Sequence, residues 1–134
     1  MPPQLNGIDH IHVYVPNRSE AARWYENVLG FREMDSLKIW SESTSGPLTI
    51  EDSSGKVHLA LFQREDGNPS SAIAFGASGE ELLRWKEYLQ EQDLQIRWAD
   101  HQVAWSLYFK DPYGNSHEIT TYDYQYVADA VSSG

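Results

Sequence analysis

Hydrophobic and polar positions near the N-terminus predict a strand that runs directly into a helix. Residues 8–15, "IDHIHVYV", are rich in β-branched and aromatic side chains, as strands are, and Pro16 ends the run. Asn17 and Glu20 have the spacing of a helix N-cap and its N3 partner, and Gly30 stands where a C-cap belongs. Between these caps, apolar residues recur at helical spacing along one face: Ala21, Trp24, Tyr25, Val28 and Leu29.

Three shorter extended runs follow this helix. We predict them over residues 31–41, 47–51 and 56–63, with the "SSG" at 53–55 as a hairpin turn between the last two. Residues 64–70, "REDGNPS", carry enough Gly, Pro, Asn and Ser to be a linker. The chain up to this linker therefore has the predicted order β-α-β-β-β.

The same order of elements is predicted again after the linker. Residues 71–77 form a short strand, and Ser78 with Glu81 repeats the N-cap spacing. A second helix runs to about Gln92, and its inner face is lined by Leu82, Trp85 and Leu89. Three further strands are predicted in "LQIRWA", "VAWSLYFK" and "SHEITTYDY", with the "DPYGN" at 111–115 as the turn between the last two.

The repeated order predicts an α+β domain built from two βαβββ modules. We place the modules at about 7–63 and 71–124, with the linker at 64–70 and a C-terminal tail at 125–134. Neither module is large enough to bury a core alone, so the two sheets are expected to complete one another within a single domain. The tail could lie over the cleft of a partner or fray.

The formal charge of −10 at pH 7 argues against two classes of partner. Nucleic acid and anionic membranes both require clustered Lys and Arg. No run approaches the roughly 20 apolar residues of a membrane span. The N-terminal "MPPQLNG" lacks the basic and apolar regions of a signal peptide, so the cytoplasm is the expected location. Because the chain has no Cys, a metal site would need His, Asp, Glu, carbonyl or water ligands.

Two segments carry a resemblance to a known superfamily. The runs "DHIHVYVPNRSEAARWYENVLGF" and "SLYFKDPYGNSHEI" resemble the first strand and helix and the closing hairpin of the vicinal oxygen chelate superfamily. That superfamily includes glyoxalase I, extradiol dioxygenases, fosfomycin-resistance enzymes and bleomycin-resistance proteins. The resemblance implies a glyoxalase-like fold, a cup-shaped, incomplete barrel of mixed sheets around one divalent metal ion (Fe, Mn, Ni, Co or Zn). It also implies a homodimer that takes a small-molecule substrate or ligand.

The resemblance further implies a set of metal ligands. His10 matches the ligand of the first strand, and Glu118, which would also be catalytic, matches the ligand of the last strand. Ala72 lies in the strand from which many members supply a His or Gln. His58 is a possible substitute ligand, because it lies two residues from a usual glutamate position and so on the same strand face. His12 shares the facing of His10 and could also chelate, although a role in the pocket wall is preferred.

Other residues are candidates for contact with a substrate. Trp105 and Tyr108, with His12, are candidate substrate-binding residues, although aromatic residues in strands are more often core. Tyr122 follows the Glu118 strand closely. Because a Tyr of the closing region assists substrate deprotonation in ring-cleaving relatives, Tyr122 is a candidate catalytic residue.

Two remaining histidines are expected to lie outside the metal site. His101 lies in a predicted loop or strand start, where it is an exposed residue or an acid/base group. His117 alternates with Glu118 along its strand, so it should face outward and be structural or exposed.

Three functions remain open from the sequence. The preferred one is a metal-dependent enzyme of the glyoxalase or dioxygenase type, acting on a substrate with two adjacent oxygens. The rival is a metal-free antibiotic-binding or resistance protein of the bleomycin-resistance type, which Ala72 favours and the pair His10 and Glu118 opposes. A ring-cleaving dioxygenase is the third, but those enzymes normally supply a His from the strand that here holds Ala72.

Overall fold

The fold consists of two open mixed sheets, one in each half of the chain. The computed structural model describes residue 2 and residues 8–65 and 72–133. The chain divides into two compact units, residues 1–71 (unit 1) and 72–134 (unit 2), and each carries one four-stranded sheet. The predicted α+β class with two βαβββ repeats is confirmed. The predicted linker 64–70 lies mostly outside the described residues.

The described residues of unit 1 form four strands, one α-helix and one 3₁₀ helix. In chain order these are β1 (Ile11–Val15), α1 (Arg18–Leu29), β2 (Arg32–Glu33), the 3₁₀ helix (Asp35–Glu42), β3 (Leu48–Glu51) and β4 (His58–Gln63). The strand order is β1-β4-β3-β2, with β1 parallel to β4 and the other pairs antiparallel. Because β1 and β2 are edge strands, this sheet does not close on itself.

Helix α1 has the ends that the sequence predicts. The Asn17 side chain accepts a hydrogen bond from the Glu20 amide at 2.9 Å, which satisfies one of the unpaired donors of the first turn. Gly30 caps the C-terminus in the left-handed region, at φ 76°, where glycine carries no Cβ penalty. Ala21 and Tyr25 are buried, and the helix packs against β3 and β4. The predicted helix is confirmed.

The predicted extended run over 31–41 is wrong for most of its length. Only Arg32–Glu33 is a strand, and a 3₁₀ helix occupies Asp35–Glu42. A tertiary contact lies at the C-terminal end of this helix, where the guanidinium of Arg18 donates to the carbonyls of Ser41 and Ser43 at 3.0 Å each and to that of Gly46. Local hydrophobic periodicity does not encode such a contact.

Unit 2 repeats the arrangement and adds a terminal helix. In chain order its elements are β5 (Ala72–Gly76), α2 (Gly79–Glu91), β6 (Arg97–Asp100), β7 (Trp105–Lys110), β8 (Ser116–Thr121) and α3 (Tyr124–Ser133). The strand order is β5-β8-β7-β6, with β5 parallel to β8 and the other pairs antiparallel. The Ser78 side chain accepts from the Glu81 amide at 3.2 Å, so the predicted N-cap of α2 is confirmed.

The C-terminal segment, predicted as a tail over 125–134, forms helix α3 against α2. Val127 is fully buried there, and the Asp123 carboxylate accepts from the Gly79 amide at 2.7 Å. The two helices approach so closely that a Cβ on Gly79 would stand 2.8 Å from the Tyr126 ring. The missing side chain of Gly79 therefore allows α3 to pack onto the start of α2.

The α-helices are short compared with the thickness of a bilayer. They contain 12, 13 and 10 residues, whereas crossing the hydrocarbon layer takes about 20 apolar residues. No helix in the described part of the chain has the length and apolar character needed to cross a membrane.

Candidate functional site

The two faces of the unit 1 sheet differ in character. Along β1, Val13 and Val15 are buried beneath α1, whereas His12 and Tyr14 lie on the opposite face. His12 is paired in register with Ala60, and its ring centroid lies 4.6 Å from that of Phe62 on β4. The face away from α1 is therefore lined by aromatic and imidazole rings.

His10 and His12 meet on this face through their Nε2 atoms. The two nitrogens are 3.1 Å apart, and the rings stack with centroids 5.0 Å apart and planes 20° from parallel. The Nδ1 of His10 lies 2.8 Å from the Asp9 carboxylate. Because an ionised carboxylate only accepts hydrogen bonds, Nδ1 of His10 carries the proton. In neutral His10 the Nε2 lone pair therefore points at His12.

His58 is engaged differently. Its Nδ1 lies 3.1 Å from the carbonyl oxygen of Asp9, and its Nε2 lies 2.9 Å from the carbonyl oxygen of Gly55 and 3.4 Å from the Glu51 carboxylate. Carbonyl oxygens only accept, so the ring nitrogen of His58 that carries the proton donates to one of these two carbonyls. Both ring nitrogens lie against oxygens of neighbouring residues, and these contacts tie the end of β4 to its surroundings.

Glu118 lies at the centre of one face of the unit 2 sheet. Its neighbours in register are Ala74 on β5 and Tyr108 on β7. The Ser106 hydroxyl donates to the Glu118 carboxylate at 2.7 Å and orients it. A shallow pocket of about 170 Å³ opens in front of this residue, between the small side chains of β5 and Tyr108. The half-buried carboxylate of Glu118 is accessible from this pocket.

Two further polar groups contact Tyr108 on the face of the unit 2 sheet that carries Glu118. The guanidinium of Arg97 lies 4.1 Å from the centre of its ring, a cation–π contact. His101 Nε2 is 2.8 Å from the Tyr108 hydroxyl. His101 follows the end of β6 in a loop and is exposed, which is one of the two roles expected for it, whereas Arg97 was not among the predicted site residues. A signal was present for Arg97, because it alternates with Trp98 in a predicted strand.

The other two candidates in unit 2 are not brought to Glu118. Trp105 is buried on the opposite sheet face, stacked between Trp98 and Tyr124 at centroid distances of 5.3 and 5.7 Å. Tyr122 follows the end of β8 and is 79% exposed. Within unit 2, only Tyr108 of the predicted substrate-contacting residues is next to Glu118.

His117 faces away from Glu118, as expected, but the assumption that this face is the outer one is wrong. The side chain is 1% exposed, between the rings of Phe75 and Phe109 at 5.7 and 5.4 Å. Burial lowers the pKa of His117 from 6.5 to about 4, against a smaller opposing effect of the Asp111 charge. His117 is therefore a neutral core residue at pH 7.

The donors present suit a borderline transition metal, although they are not gathered into a complete cluster. Imidazole nitrogen combined with carboxylate oxygen suits Fe, Mn, Co, Ni or Zn. Across residues 8–65 and 72–133, no three His, Asp or Glu side chains are grouped closely enough to hold a metal ion. The pair His10 and His12 supplies two convergent nitrogens, and Glu118 belongs to the other unit.

Sequence comparison places this chain in a family. The family model for the Glyoxalase/Bleomycin resistance protein/Dioxygenase superfamily matches residues 7–119. The chain therefore belongs to that superfamily, whose members bind small-molecule ligands and usually a divalent metal. No curated protein matches the chain at a significant level.

Solved structures agree on the fold. A protein described as belonging to the glyoxalase family, from Bacillus anthracis, is 21% identical with a TM-score of 0.74, over 91% of this chain and 99% of that one. A lactoylglutathione lyase from Agrobacterium tumefaciens is 20% identical with a TM-score of 0.69, over 90% and 96% of the two chains. A superfamily member from Sphaerobacter thermophilus is 18% identical with a TM-score of 0.69, over 86% and 97%. Similarity at this level establishes the fold, while the reaction depends on the site.

Proposed function

We propose that this protein is a metal-dependent enzyme acting on a small molecule with two adjacent oxygen atoms. The observation that carries the proposal is the orientation of His10, whose Nδ1 is held by Asp9 at 2.8 Å so that Nε2 is left as a ligand atom. A carboxylate that orients a ligating imidazole is a common feature of metal sites. Membership of a superfamily that usually binds a divalent metal supports the same assignment.

Glu118 is proposed as the carboxylate ligand. It is half-buried, and its orientation is fixed by the Ser106 hydroxyl at 2.7 Å. A carboxylate held in this way loses little conformational freedom when it binds a cation. When bound, a divalent ion would act as a Lewis acid on the adjacent oxygens of the substrate. The third ligand from the protein is one of His12 and His58.

Tyr108 and His101 are proposed to handle a proton. The phenol and the imidazole are 2.8 Å apart, so a proton can pass between them. Tyr108 lies next to Glu118 in register, and its hydroxyl therefore belongs to the same sheet face as the proposed ligand. Arg97, stacked on the Tyr108 ring, would favour a substrate that carries negative charge.

A second candidate function is a metal-free binder of the bleomycin-resistance type. Ala72 favours this metal-free function, because Ala72 lies in β5, the strand from which many members of the superfamily supply a metal ligand. Ala72 and Ala74 also line the pocket in front of Glu118, where their small side chains leave room for a ligand. A protein of this type would use His10, His12 and Tyr108 as pocket walls.

Metal content separates the two functions. We would purify the chain without a polyhistidine tag, load it anaerobically with Fe, Mn, Co, Ni or Zn, and measure bound metal by elemental mass spectrometry. The metal-dependent enzyme should retain close to one ion per chain, and His10→Ala and Glu118→Gln should each lose it. Glu87→Gln, which neutralises an exposed carboxylate on α2, should keep it. Failure of the wild-type protein to retain any metal would favour the binding protein.

The assembly of the protein is also open to test. The resemblance implies a homodimer, and we propose that two chains associate. Ile39 and Trp40 on the 3₁₀ helix are 67% and 48% exposed, and apolar side chains of this size favour burial in an interface. Light scattering coupled to size exclusion should give twice the mass of 15.3 kDa. A monomer mass over the whole concentration range would contradict the proposal.

A further inference from the structure

We propose that His10 and His12 chelate one divalent transition-metal ion as a His-x-His pair on β1, with Asp9 as the residue that orients His10. This inference rests on the proposed function, and it assigns the third ligand to His12 instead of His58. It also gives unit 1 two of the metal ligands from a stretch of only three residues.

The distance between the two nitrogens suits a shared ion. Imidazole nitrogens bind Zn²⁺ and similar ions at about 2.0–2.1 Å. Two such nitrogens on one ion are therefore about 2.9 Å apart at a 90° angle and about 3.4 Å apart at the tetrahedral angle. The Nε2 atoms of His10 and His12 are 3.1 Å apart, within this interval. No rearrangement of the strand is needed to bring both nitrogens to one ion.

The protonation of the pair follows from Asp9. Its carboxylate accepts from Nδ1 of His10 at 2.8 Å, which leaves the Nε2 of neutral His10 without a proton. Without a metal, the 3.1 Å contact is a hydrogen bond in which His12 Nε2 donates to His10 Nε2. When a cation binds, Nε2 of His12 gives up this proton, so that both Nε2 atoms can serve as ligands.

Packing and exposure also fit the assignment. Phe62 lies 4.6 Å from the His12 ring, which limits the positions this ring can adopt. The side chain of His10 is 36% exposed, so an ion can reach the pair from solvent. Residues two apart on a strand share a face, and this keeps both rings on the same side of β1.

His58 makes a poorer ligand because both of its ring nitrogens lie within hydrogen-bond distance of carbonyl oxygens. The partners are the carbonyl oxygens of Asp9 and Gly55, at 3.1 and 2.9 Å. Ligation would require His58 to give up one of these bonds and its approach to the Glu51 carboxylate at 3.4 Å.

Single substitutions of three histidines test the assignment directly. Binding of Ni²⁺ to the untagged full chain would be measured by isothermal titration calorimetry for wild type, His10→Ala, His12→Ala and His58→Ala. Joining two donors in one chelate raises affinity by about 100-fold or more over a single donor. We therefore expect His10→Ala and His12→Ala each to weaken Ni²⁺ binding by about 100-fold, and His58→Ala to leave it within about threefold. Asp9→Asn should weaken it by about 10-fold or more.

The outcomes separate this inference from the proposed function. Full affinity in His12→Ala, or a loss confined to His58→Ala, would overturn the chelate. Glu118→Gln tests the proposed function separately. If Ni²⁺ affinity is unchanged in Glu118→Gln but falls in His10→Ala and His12→Ala, the histidine pair stands and the proposed role of Glu118 is refuted. Absence of Ni²⁺ binding in wild type would reject both. Circular dichroism checks the fold of each variant, and His12→Gln, which keeps a polar side chain, repeats the test.

Discussion

At the scale of single residues, the same side chain type has three different roles within one small protein. His10 is oriented by a carboxylate, His58 lies between two backbone carbonyl oxygens, and His117 is a neutral core residue. Spacing along a strand reports which face a residue occupies, but it does not report what covers that face. For this reason the facing of His117 relative to Glu118 was predictable and its burial was not.

His117 gives a prediction about pH. Its pKa is lowered to about 4 in the folded protein by burial, from 6.5. The unfolded chain therefore takes up a proton at a higher pH than the folded protein, and stability contributed by neutral His117 is lost as the pH falls from about 6.5 to about 4. A pKa difference of this size corresponds to a change in the free energy of unfolding on the order of 3 kcal/mol.

Urea unfolding at pH 7.0 and pH 5.0 measures this effect. Wild type should lose stability over this interval by more than a His117→Leu variant does. His101→Ala, which removes an exposed histidine, should lose as much as wild type. Equal losses in wild type and His117→Leu would show that His117 does not titrate in this way.

Ser106 gives a second prediction at this scale. Its hydroxyl donates to the Glu118 carboxylate at 2.7 Å, so Ser106→Ala should leave the proposed ligand less well oriented. Loss of a group that positions a ligand typically costs about 10-fold or more in metal affinity. Ni²⁺ titration of Ser106→Ala should show that loss, while Ser116→Ala, at the start of β8, should bind as wild type does. Equal affinity in all three proteins would contradict the positioning role.

At the scale of secondary-structure elements, local signals located the helices well. The N-caps at Asn17 and Ser78 and the C-cap at Gly30 are formed by residues whose own chemistry fixes a helix end. Elements that depend on distant contacts were missed. The 3₁₀ helix is held by Arg18 from the start of α1, and α3 depends on Asp123 and on the small size of Gly79.

The packing of α3 on α2 predicts the effect of a single methyl group. A Cβ at Gly79 would lie 2.8 Å from the Tyr126 ring and 3.0 Å from the Asp123 Cβ, so Gly79→Ala should force the helices apart. Overpacking of this kind typically costs about 1–3 kcal/mol. Gly76→Ala is the matched control, because a Cβ there meets no atom within 4 Å. Urea unfolding should show a loss only for Gly79→Ala, and equal stability of the two variants would contradict the close approach.

The 3₁₀ helix offers a parallel test. Arg18 donates to the carbonyls of Ser41 and Ser43 at 3.0 Å each, and lysine cannot reproduce this planar fork. Arg18→Lys should therefore lose about 1–3 kcal/mol of stability and expose the amide of Gly46 to faster hydrogen exchange. Arg23→Lys, on the exposed side of α1, should change neither quantity. Unaltered exchange at Gly46 in Arg18→Lys would mean that the turn after the 3₁₀ helix holds without this contact.

At the scale of the whole molecule, the sequence repeat predicted the class of fold but not the complete site. Each unit arranges its own candidates, with His10 and His12 on one face in unit 1 and Glu118 beside Tyr108 in unit 2. The net charge of −10 makes a cation a favourable ligand for the molecule as a whole. The choice between His12 and His58 required hydrogen-bond partners, which no sequence pattern contains.

The most direct test of the metal-dependent assignment is the position of the ion itself. A crystal of the chain loaded with Zn²⁺ or Ni²⁺ would be measured at the absorption edge of that metal, and the anomalous difference map would locate the ion. We predict one strong peak within about 2.2 Å of Nε2 of both His10 and His12. A peak at His58, or no peak at any of these residues, would contradict the account.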